Sequence, residues 1–356
     1  MPYDEQLRRK RARLADVLGV DVPPLIPSPR QIAFRQKAAF VFGSGPRGLV
    51  MGHYAAGSKR IVPIDECPVH SARANQIAFE LRDQLARARV PAADRPGGLL
   101  RHVIVRTTED DGEAIAMLVV TRNDRLLRAP VRRFLASSSA PDGFLVNVNA
   151  RATPLMVGDE TLRIDGRTHA RQHDVAGADF LIAADAFFQT NVGAARELVR
   201  VVADAVGTGG RVLDLYCGSG LFALPLARAG ASVTAVEENR QAIADLKANL
   251  RLNQIPSARV RPMAARVEDA LGRLAGESFD ATVLDPPREG CAEAVLSTVF
   301  ERMRPRRAVY VSCNPDALAR ELPRILRSGY RVSRIQAVDM FPHTDHMETV
   351  AMFEPR

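Results

Sequence analysis

The chain has 356 residues, 49 Lys+Arg against 41 Asp+Glu, a formal charge of +8 and 46% hydrophobic residues. That hydrophobic share supports a sizeable core and excludes a disordered chain. The four cysteines, Cys67, Cys217, Cys291 and Cys313, are too few for a disulfide scaffold.

No stretch approaches the roughly 20 apolar residues of a membrane span, and MPYDEQLRRKRARL lacks the apolar run of a secretory signal. The expectation is a cytoplasmic protein in a reducing compartment, without membrane association. The charge is uneven. Residues 1–70 hold 11 basic and 6 acidic residues, net +5 of the total +8. Arg8, Arg9, Lys10, Arg11 and Arg13 form the densest group. They read either as a solvated helix face or as a phosphate-attracting patch.

In chain order, residues 4–18 carry Leu7, Arg11, Leu14 and Leu18 at helical spacing, with Gly19 as the stop. VPPLIPSP (22–29) cannot continue a helix, because proline lacks the amide donor. AAFVFG, GLVMGHYA and RIVPI read as strands parted by GSGPRG and AAGSKR, and residues 71–89 as a helix. Residues 99–121 read as a hairpin across Asp110–Gly112, and GFLVNVNA and ETLRIDG continue the strands. From a helix near 193–206 the period changes. RVLDLYCGSGLFALPLARAG, ASVTAVEE, RQAIADLKANLRLN, FDATVLDPP, a helix near 292–302, RAVYVSC and PDALARELPRIL alternate strand and helix, the pattern of parallel α/β packing. The expected division is an N-terminal and central region, 1–185, and a second domain, 186–356.

DLYCGSG (214–220) is a strand followed by a glycine turn opening a helix. Gly218 and Gly220 let the backbone approach a ligand. Ala223 stands where a dinucleotide fingerprint has its third glycine, and no GK[ST] follows. Glu237 ends the next strand, where a carboxylate can accept from both hydroxyls of a ribose. An adenosyl cofactor without a pyrophosphate fits, with Asp214 and the loop near its amino-acid part; NAD(P) chemistry and a structural strand–turn–helix remain as alternatives.

DPPREG (285–290) ends a later strand at the edge where open parallel sheets bind ligands. Asp285 can accept a hydrogen bond. Arg288 stands where an aromatic often stacks a base in amino-methyltransferases, and it can clamp a phosphate or carboxylate. In VSCNPD (311–316), Cys313 lies between a strand and a proline-led helix, where a thiolate can be stabilised. A thiol is suited to attack pyrimidine C6, which activates C5; a base must then remove the C5 proton. Glu348 in HTDHMET is the candidate base. Asp339, His343, Asp345 and His346 crowd the same stretch, and a metal cluster or a charged loop are the other readings there.

Together FRQK (34–37), FFQTN (187–191), LDLYCGSGLF (213–222), VLDPPREG (283–290), VSCNPDALARE (311–321) and DMFPHTDHMETV (339–350) resemble the bacterial RNA uracil-C5 methyltransferase family of the TrmA/RlmC/RlmD type. The resemblance implies an α/β fold, with a C-terminal Rossmann-like S-adenosylmethionine-dependent methyltransferase domain and an N-terminal α/β RNA-binding domain. It implies a structured RNA partner, a monomer, and conversion of a flipped uridine to 5-methyluridine. By that likeness Cys313 is the nucleophile and Glu348 the base. Gln189, Asp214, Tyr216, Gly218, Gly220, Glu237 and Asp285 hold the cofactor. Arg35, Lys37, Phe188, Asp285 and Arg288 meet the substrate.

Some members carry a leading barrel, for which this chain leaves no room. Ribosomal-RNA members often hold an iron–sulfur cluster. Here only Cys67 of DECP matches its ligands, so no intact cluster is expected unless a segment upstream supplies the rest. No acidic residue stands at the third strand end, Met263–Ala265; Glu268 and Asp269 follow it. The expected substrate is 23S ribosomal RNA, with the T-loop uridine of transfer RNA as the alternative. An RNA-binding protein with a vestigial site is the reading from another class. Cytosine-C5 methylation is weakened because Cys291 follows Gly290 rather than a proline.

Overall fold

The fold is described from a computed structural model, and the described residues are 1–151 and 156–356. The chain divides into two compact units: Ile32–Gln172 with Leu181–Ala186, and Met1–Gln31 with His173–Phe180 and Phe187–Arg356. Both units are discontinuous: the first helix, α1 (Tyr3–Leu18), belongs with the C-terminal half, and so does His173–Phe180, which interrupts the other unit.

The unit built on Ile32–Gln172 is one seven-stranded sheet. Its strands are β1 (Lys37–Gly45), β2 (Gly48–Tyr54), β3 (Ile61–Pro63), β4 (Leu100–Thr107), β5 (Ala114–Val120), β6 (Gly143–Val148) and β7 (Glu160–Gly166), in the order β3-β2-β1-β4-β5-β6-β7. Neighbours are antiparallel except β5 and β6. A parallel pair needs a crossover. Here the crossover is α3 (Arg128–Leu135), a helix the sequence reading missed. It packs beside α2 (Ala72–Arg87), whose Ser71 side chain caps it by accepting from Ala74 N. Ile77, Leu81, Leu85, Val131 and Phe134 cover Val103, Val105, Ala116 and Leu118 in one core. Each fully buried Val, Leu or Phe there contributes roughly 1.5–3 kcal/mol.

A short hairpin pairs β8 (His169–Val175) with β9 (Ala178–Ala183). It too escaped the sequence reading: β9 alternates, but β8 carries only Ala170 and Val175 as apolar residues.

The other unit follows α4 (Val192–Val206). Its strands and helices are β10 (Arg211–Leu215), α5 (Ala223–Arg228), β11 (Ser232–Glu237), α6 (Arg240–Leu252), β12 (Val260–Ala264), α7 (Val267–Arg273), β13 (Ala281–Leu284), α8 (Glu293–Ser297), β14 (Arg307–Ser312), α9 (Pro315–Arg327), β15 (Tyr330–Val338) and β16 (Glu348–Pro355). The sheet order is β12-β11-β10-β13-β14-β16-β15. β10 to β14 are parallel, and β16 inserts antiparallel between β14 and β15. This is a Rossmann-like sheet closed by an antiparallel hairpin. Strand order reverses between β10 and β13, so ligands are expected outside the carboxyl ends there.

One core joins Leu14 and Leu18 of α1 with α7, α8, α9 and the sheet residues Leu213, Leu215 and Tyr310. Alternation along β10 puts Asp214 on the opposite face from Leu213 and Leu215.

The basic run of α1 is occupied within the protein. Arg8 and Arg9 pair with Glu5, Arg11 with Asp21 and Arg13 with Asp316. Lys10 is buried: its Nζ donates to Asp339 Oδ1 at 2.7 Å and to the carbonyls of Phe341 and His346, while Tyr3 OH donates to Asp339 Oδ2 at 2.8 Å. The phosphate-patch reading is therefore corrected for Lys10, which pins the loop before Glu348. Lys10→Ala leaves the Asp339 charge buried and short of a partner. It is expected to cost about 3–5 kcal/mol, read as a fall in the denaturation midpoint. Adding Asp339→Asn should recover part of that loss; full additivity of the two changes would sink the pairing.

Candidate active site

The cofactor loop follows β10. Tyr216 (φ 62°), Gly218 (φ 53°) and Gly220 (φ 98°) all adopt left-handed backbone, turning the chain sharply before α5. A Cβ at Gly220 would meet Leu224 Cδ1 and Leu246 Cδ1 at 2.4 and 2.5 Å, so the helix seats directly on the loop. At Gly218 a Cβ would meet nothing within 4 Å, leaving open space above that backbone. Glu237 ends β11 and ties the loop to it. Its Oε2 accepts from Gly218 N at 3.2 Å, and its Oε1 from Asn239 N at 2.8 Å. Ala265 N donates to Glu237 O at 3.0 Å, bringing the end of β12 alongside, while Glu268 and Asp269 lie in the first turn of α7.

Asp214 is fully buried; no side chain hydrogen-bonds its carboxylate, and the Ala223 backbone N–H is the polar group beside it. Burial, then the charge of Asp285, raises its proton affinity well above the ordinary carboxylate range, against a smaller opposing effect of the Ala223 N–H. A buried carboxylate with spare acceptor capacity beside an open glycine cradle fits a cationic, donor-bearing ligand such as S-adenosylmethionine. Cys217 is buried with its thiol pushed up by burial, consistent with packing. Tyr216 interacts through its hydroxyl with Cys291.

The second cluster lies at the ends of β13, β14 and β16. Ser312 pairs with Thr349, so Cys313, just past β14, and Glu348, at the start of β16, are neighbours across an antiparallel register. Glu348 is 4% exposed and its Oε2 has no hydrogen-bond partner. Burial, then Asp285, raises its proton affinity well above normal; burial holds Asp285 up to about 7. The two carboxyls form one electrostatically linked pair.

Cys313 corrects the thiolate expectation. Burial first, then Glu348 and Asp285, push its thiol up to about 11, against a smaller opposing effect of Arg288. The N-terminus of α9 does not overcome two carboxylates and desolvation. The cluster thus holds a thiol beside two carboxyls, all of which bind protons strongly.

The turns carrying these residues are laced together. Asn314 Nδ2 donates to Arg288 O at 2.9 Å and Arg320 Nη2 to Glu289 O at 3.2 Å. Glu321 accepts from Cys291 N at 2.9 Å and from Tyr310 OH at 2.8 Å. Gly290 (φ 92°) has no room for a Cβ, which would lie 1.9 Å from Glu321 Oε1. Glu321 and Tyr310 escaped the sequence reading: their role is set by a strand and a helix meeting, which no local motif records.

Phe188 is 3% exposed and packs on Phe180 with ring centroids 5.1 Å apart, whereas Phe187 is 80% exposed. Gln189 is buried just ahead of α4, whose cap Asn191 donates through Nδ2 to Ser28 Oγ and Met340 O. His343 contacts Gln6 and the Gln31 carbonyl, and His346 packs on Phe341. Arg35 and Lys37 belong to the other unit. There Lys37 Nζ donates to the carbonyls of Asp185 and Ala186 at 2.8 and 3.1 Å, and burial lowers its proton affinity to about 8. Arg106, 1% exposed, joins it on the Ala186 carbonyl at 2.7 Å. Among the described residues no helix is long and apolar enough to cross a membrane.

The comparisons with known proteins agree with this geometry. Residues 2–356 match the family described as tRNA (uracil-5-)-methyltransferase. An uncharacterized RNA methyltransferase of Geobacter sulfurreducens is 34% identical over 99% of this chain and 73% of its own. Another, from Halalkalibacterium halodurans, is 33% identical over 99% and 80%. The crystal structure of the Pyrococcus abyssi tRNA (uracil-54, C5)-methyltransferase, in complex with S-adenosyl-L-homocysteine, superposes with a TM-score of 0.84 at 29% identity, covering 99% of this chain and 84% of that one. With a full-length family match and a methyltransferase sheet of this order, the chain belongs to the tRNA (uracil-5-)-methyltransferase family and is an S-adenosylmethionine-dependent methyltransferase.

Proposed function

We propose that the protein methylates C5 of a uridine in the T loop of transfer RNA. The observation that carries the chemistry is the pairing of Cys313 with Glu348 across β14 and β16, next to Asp285. The likeness to the Pyrococcus abyssi tRNA (uracil-54, C5)-methyltransferase supports transfer RNA over the ribosomal RNA favoured from sequence. In this reading the unit built on Ile32–Gln172 supplies RNA recognition, the unit holding Phe187–Arg356 supplies catalysis, and the protein acts as a cytoplasmic monomer.

S-adenosylmethionine supplies an electrophilic methyl group. Asp214, Gln189, Glu237 and the backbone of Tyr216, Gly218 and Gly220 are its binding set. The uridine leaves its stack at a cost of a few kcal/mol, with Phe188 shaping its pocket. Cys313 loses its thiol proton to solvent as its sulfur bonds to C6, and the electron pair of the C5–C6 double bond moves to C5 and the O4 carbonyl. Asp285 orients the uracil, Arg288 clamps a phosphate, and Arg35 and Lys37 serve the RNA-binding part. Once C5 carries the methyl group, Glu348 takes the C5 proton, the C5–C6 double bond re-forms, and the Cys313 sulfur leaves.

The test is methyl-label transfer to unmodified transcripts of transfer RNA and 23S ribosomal RNA. Label is expected in transfer RNA as 5-methyluridine, and its loss when the T-loop uridine is replaced by cytidine. Label confined to ribosomal RNA would reverse the substrate assignment, and label in neither would remove the activity.

A further inference from the structure

In the unit built on Ile32–Gln172, three donors converge away from the residues discussed above. One ligand atom each from His53, Cys67 and His70 lies within 4.8 Å of the others. Among the described residues this is the one such group of three or more His, Cys, Asp or Glu side chains. It draws on two separate pieces of chain: β2, and the loop that runs from DECP to the residue just before the Ser71 cap of α2.

Each donor is held in place. Asn75 clasps Cys67, accepting from its backbone N–H at 3.2 Å and donating to its carbonyl at 2.9 Å. His70 N donates to Cys67 O at 3.1 Å. Phe40 stacks on the His53 ring at 5.1 Å and meets the His70 ring edge-on at 5.1 Å. His70 is 4% exposed, yet its Nδ1 has no hydrogen-bond partner. A buried polar atom left unpaired costs about 1–3 kcal/mol. Aromatic packing on Phe40 explains the two rings but neither that unpaired nitrogen nor the thiol beside them.

We propose that His53, Cys67 and His70 bind a zinc ion, with water in the fourth position. Imidazole and thiolate are zinc's usual ligands, at about 2.0–2.1 and 2.3 Å, so donors of a tetrahedral site stand about 3.3–3.6 Å apart. The present limit of 4.8 Å is wider than that, so the donors draw together on binding. Arg35 lies close enough to Cys67 for the two to interact electrostatically.

The ion fastens β2 to the 67–70 loop. That loop holds the FRQK segment through Arg35 N to Val69 O, Ser71 N to Arg35 O and Ala33 N to Pro68 O, at 2.8–3.0 Å. The site is therefore a staple for the segment that carries Arg35 and Lys37.

The experiment uses the whole chain, purified under reducing conditions, and reads metal rather than methyl transfer, so its outcome is independent of the proposed function. Elemental analysis is expected to find one zinc per chain. After chelation, cobalt(II) should bind one-to-one, with the intense visible bands of a tetrahedral site and a thiolate charge-transfer band. Cys67→Ser should abolish that band. His53→Gln, at a partly exposed position, should lower zinc affinity by at least the ~10–100-fold typical of losing an outer partner, with unchanged circular dichroism as the folding control. Absence of stoichiometric zinc and cobalt binding, a charge-transfer band surviving Cys67→Ser, or iron–sulfur absorption in the purified chain would each overturn the site.

Discussion

Cys313→Ala should lower methyl transfer to transfer RNA on the order of 10⁴-fold or more, since covalent catalysis fails as a unit when its nucleophile is lost. Binding of S-adenosylhomocysteine should change little, because the glycine loop after β10 is built by Glu237, Asn249 and Leu246 and not by Cys313. Neither other thiol of the same unit is fitted to substitute. Cys217 is buried with its thiol held well up, and burial pushes Cys291 up to about 12. With 5-fluorouridine in place of the target base, the wild-type protein should form a stable covalent adduct, because fluorine cannot be removed as a proton, and Cys313→Ala should form none.

The pH dependence has a definite sign. The Cys313 thiol sits near 11, and the neighbouring carboxyls also ionise late. The rate of adduct formation should therefore climb from neutral into alkaline solution. A rate that is flat there would show a thiolate already formed and contradict the electrostatics of the cluster.

The site was legible in the sequence wherever chemistry is carried by a strand end. DLYCGSG, DPPREG and VSCNPD announce themselves because a parallel strand must stop, turn on glycine or proline, and present a side chain. What they could not announce is the electrostatic state. The helix behind Cys313 predicts a thiolate, and the two carboxylates that reverse it arrive from β13 and β16. The antiparallel insertion of β16 was not legible either, since RVSRIQAV and ETVAMFEP were not read as strands at all. The basic run of α1 misled for a similar reason: Lys10 finds its partner at Asp339, far along the chain. Local pattern gave the α/β alternation of the C-terminal half. The parallel β5–β6 pair stayed hidden with α3, whose Pro130 and three arginines mask its apolar face.

Glu348→Gln should separate the half-reactions and, at the same time, stabilise the fold. The amide has nearly the same shape but cannot accept the C5 proton, so turnover should fall about 10²–10⁴-fold. Attack at C6 and methyl transfer do not need that base. A methylated protein–RNA adduct on ordinary uridine should therefore accumulate, visible on a denaturing gel without fluorine, whereas the wild type releases it.

The stability effect follows from burial. Glu348 has a folded-state proton affinity well above that of an unfolded glutamate, near 4.3. Its contribution is then fully favourable below that pH and is lost as pH rises through the folded value, leaving a penalty at neutrality. The glutamine variant escapes the penalty. Its melting temperature should exceed the wild type's at neutral pH, by about 2–4 °C for each kcal/mol regained, and the difference should shrink toward zero in acid. Lower activity with a raised melting point marks a residue kept for chemistry at the expense of the fold. Lower activity with a lowered melting point and no trapped RNA would instead make Glu348 a structural group and leave the C5 proton without an acceptor.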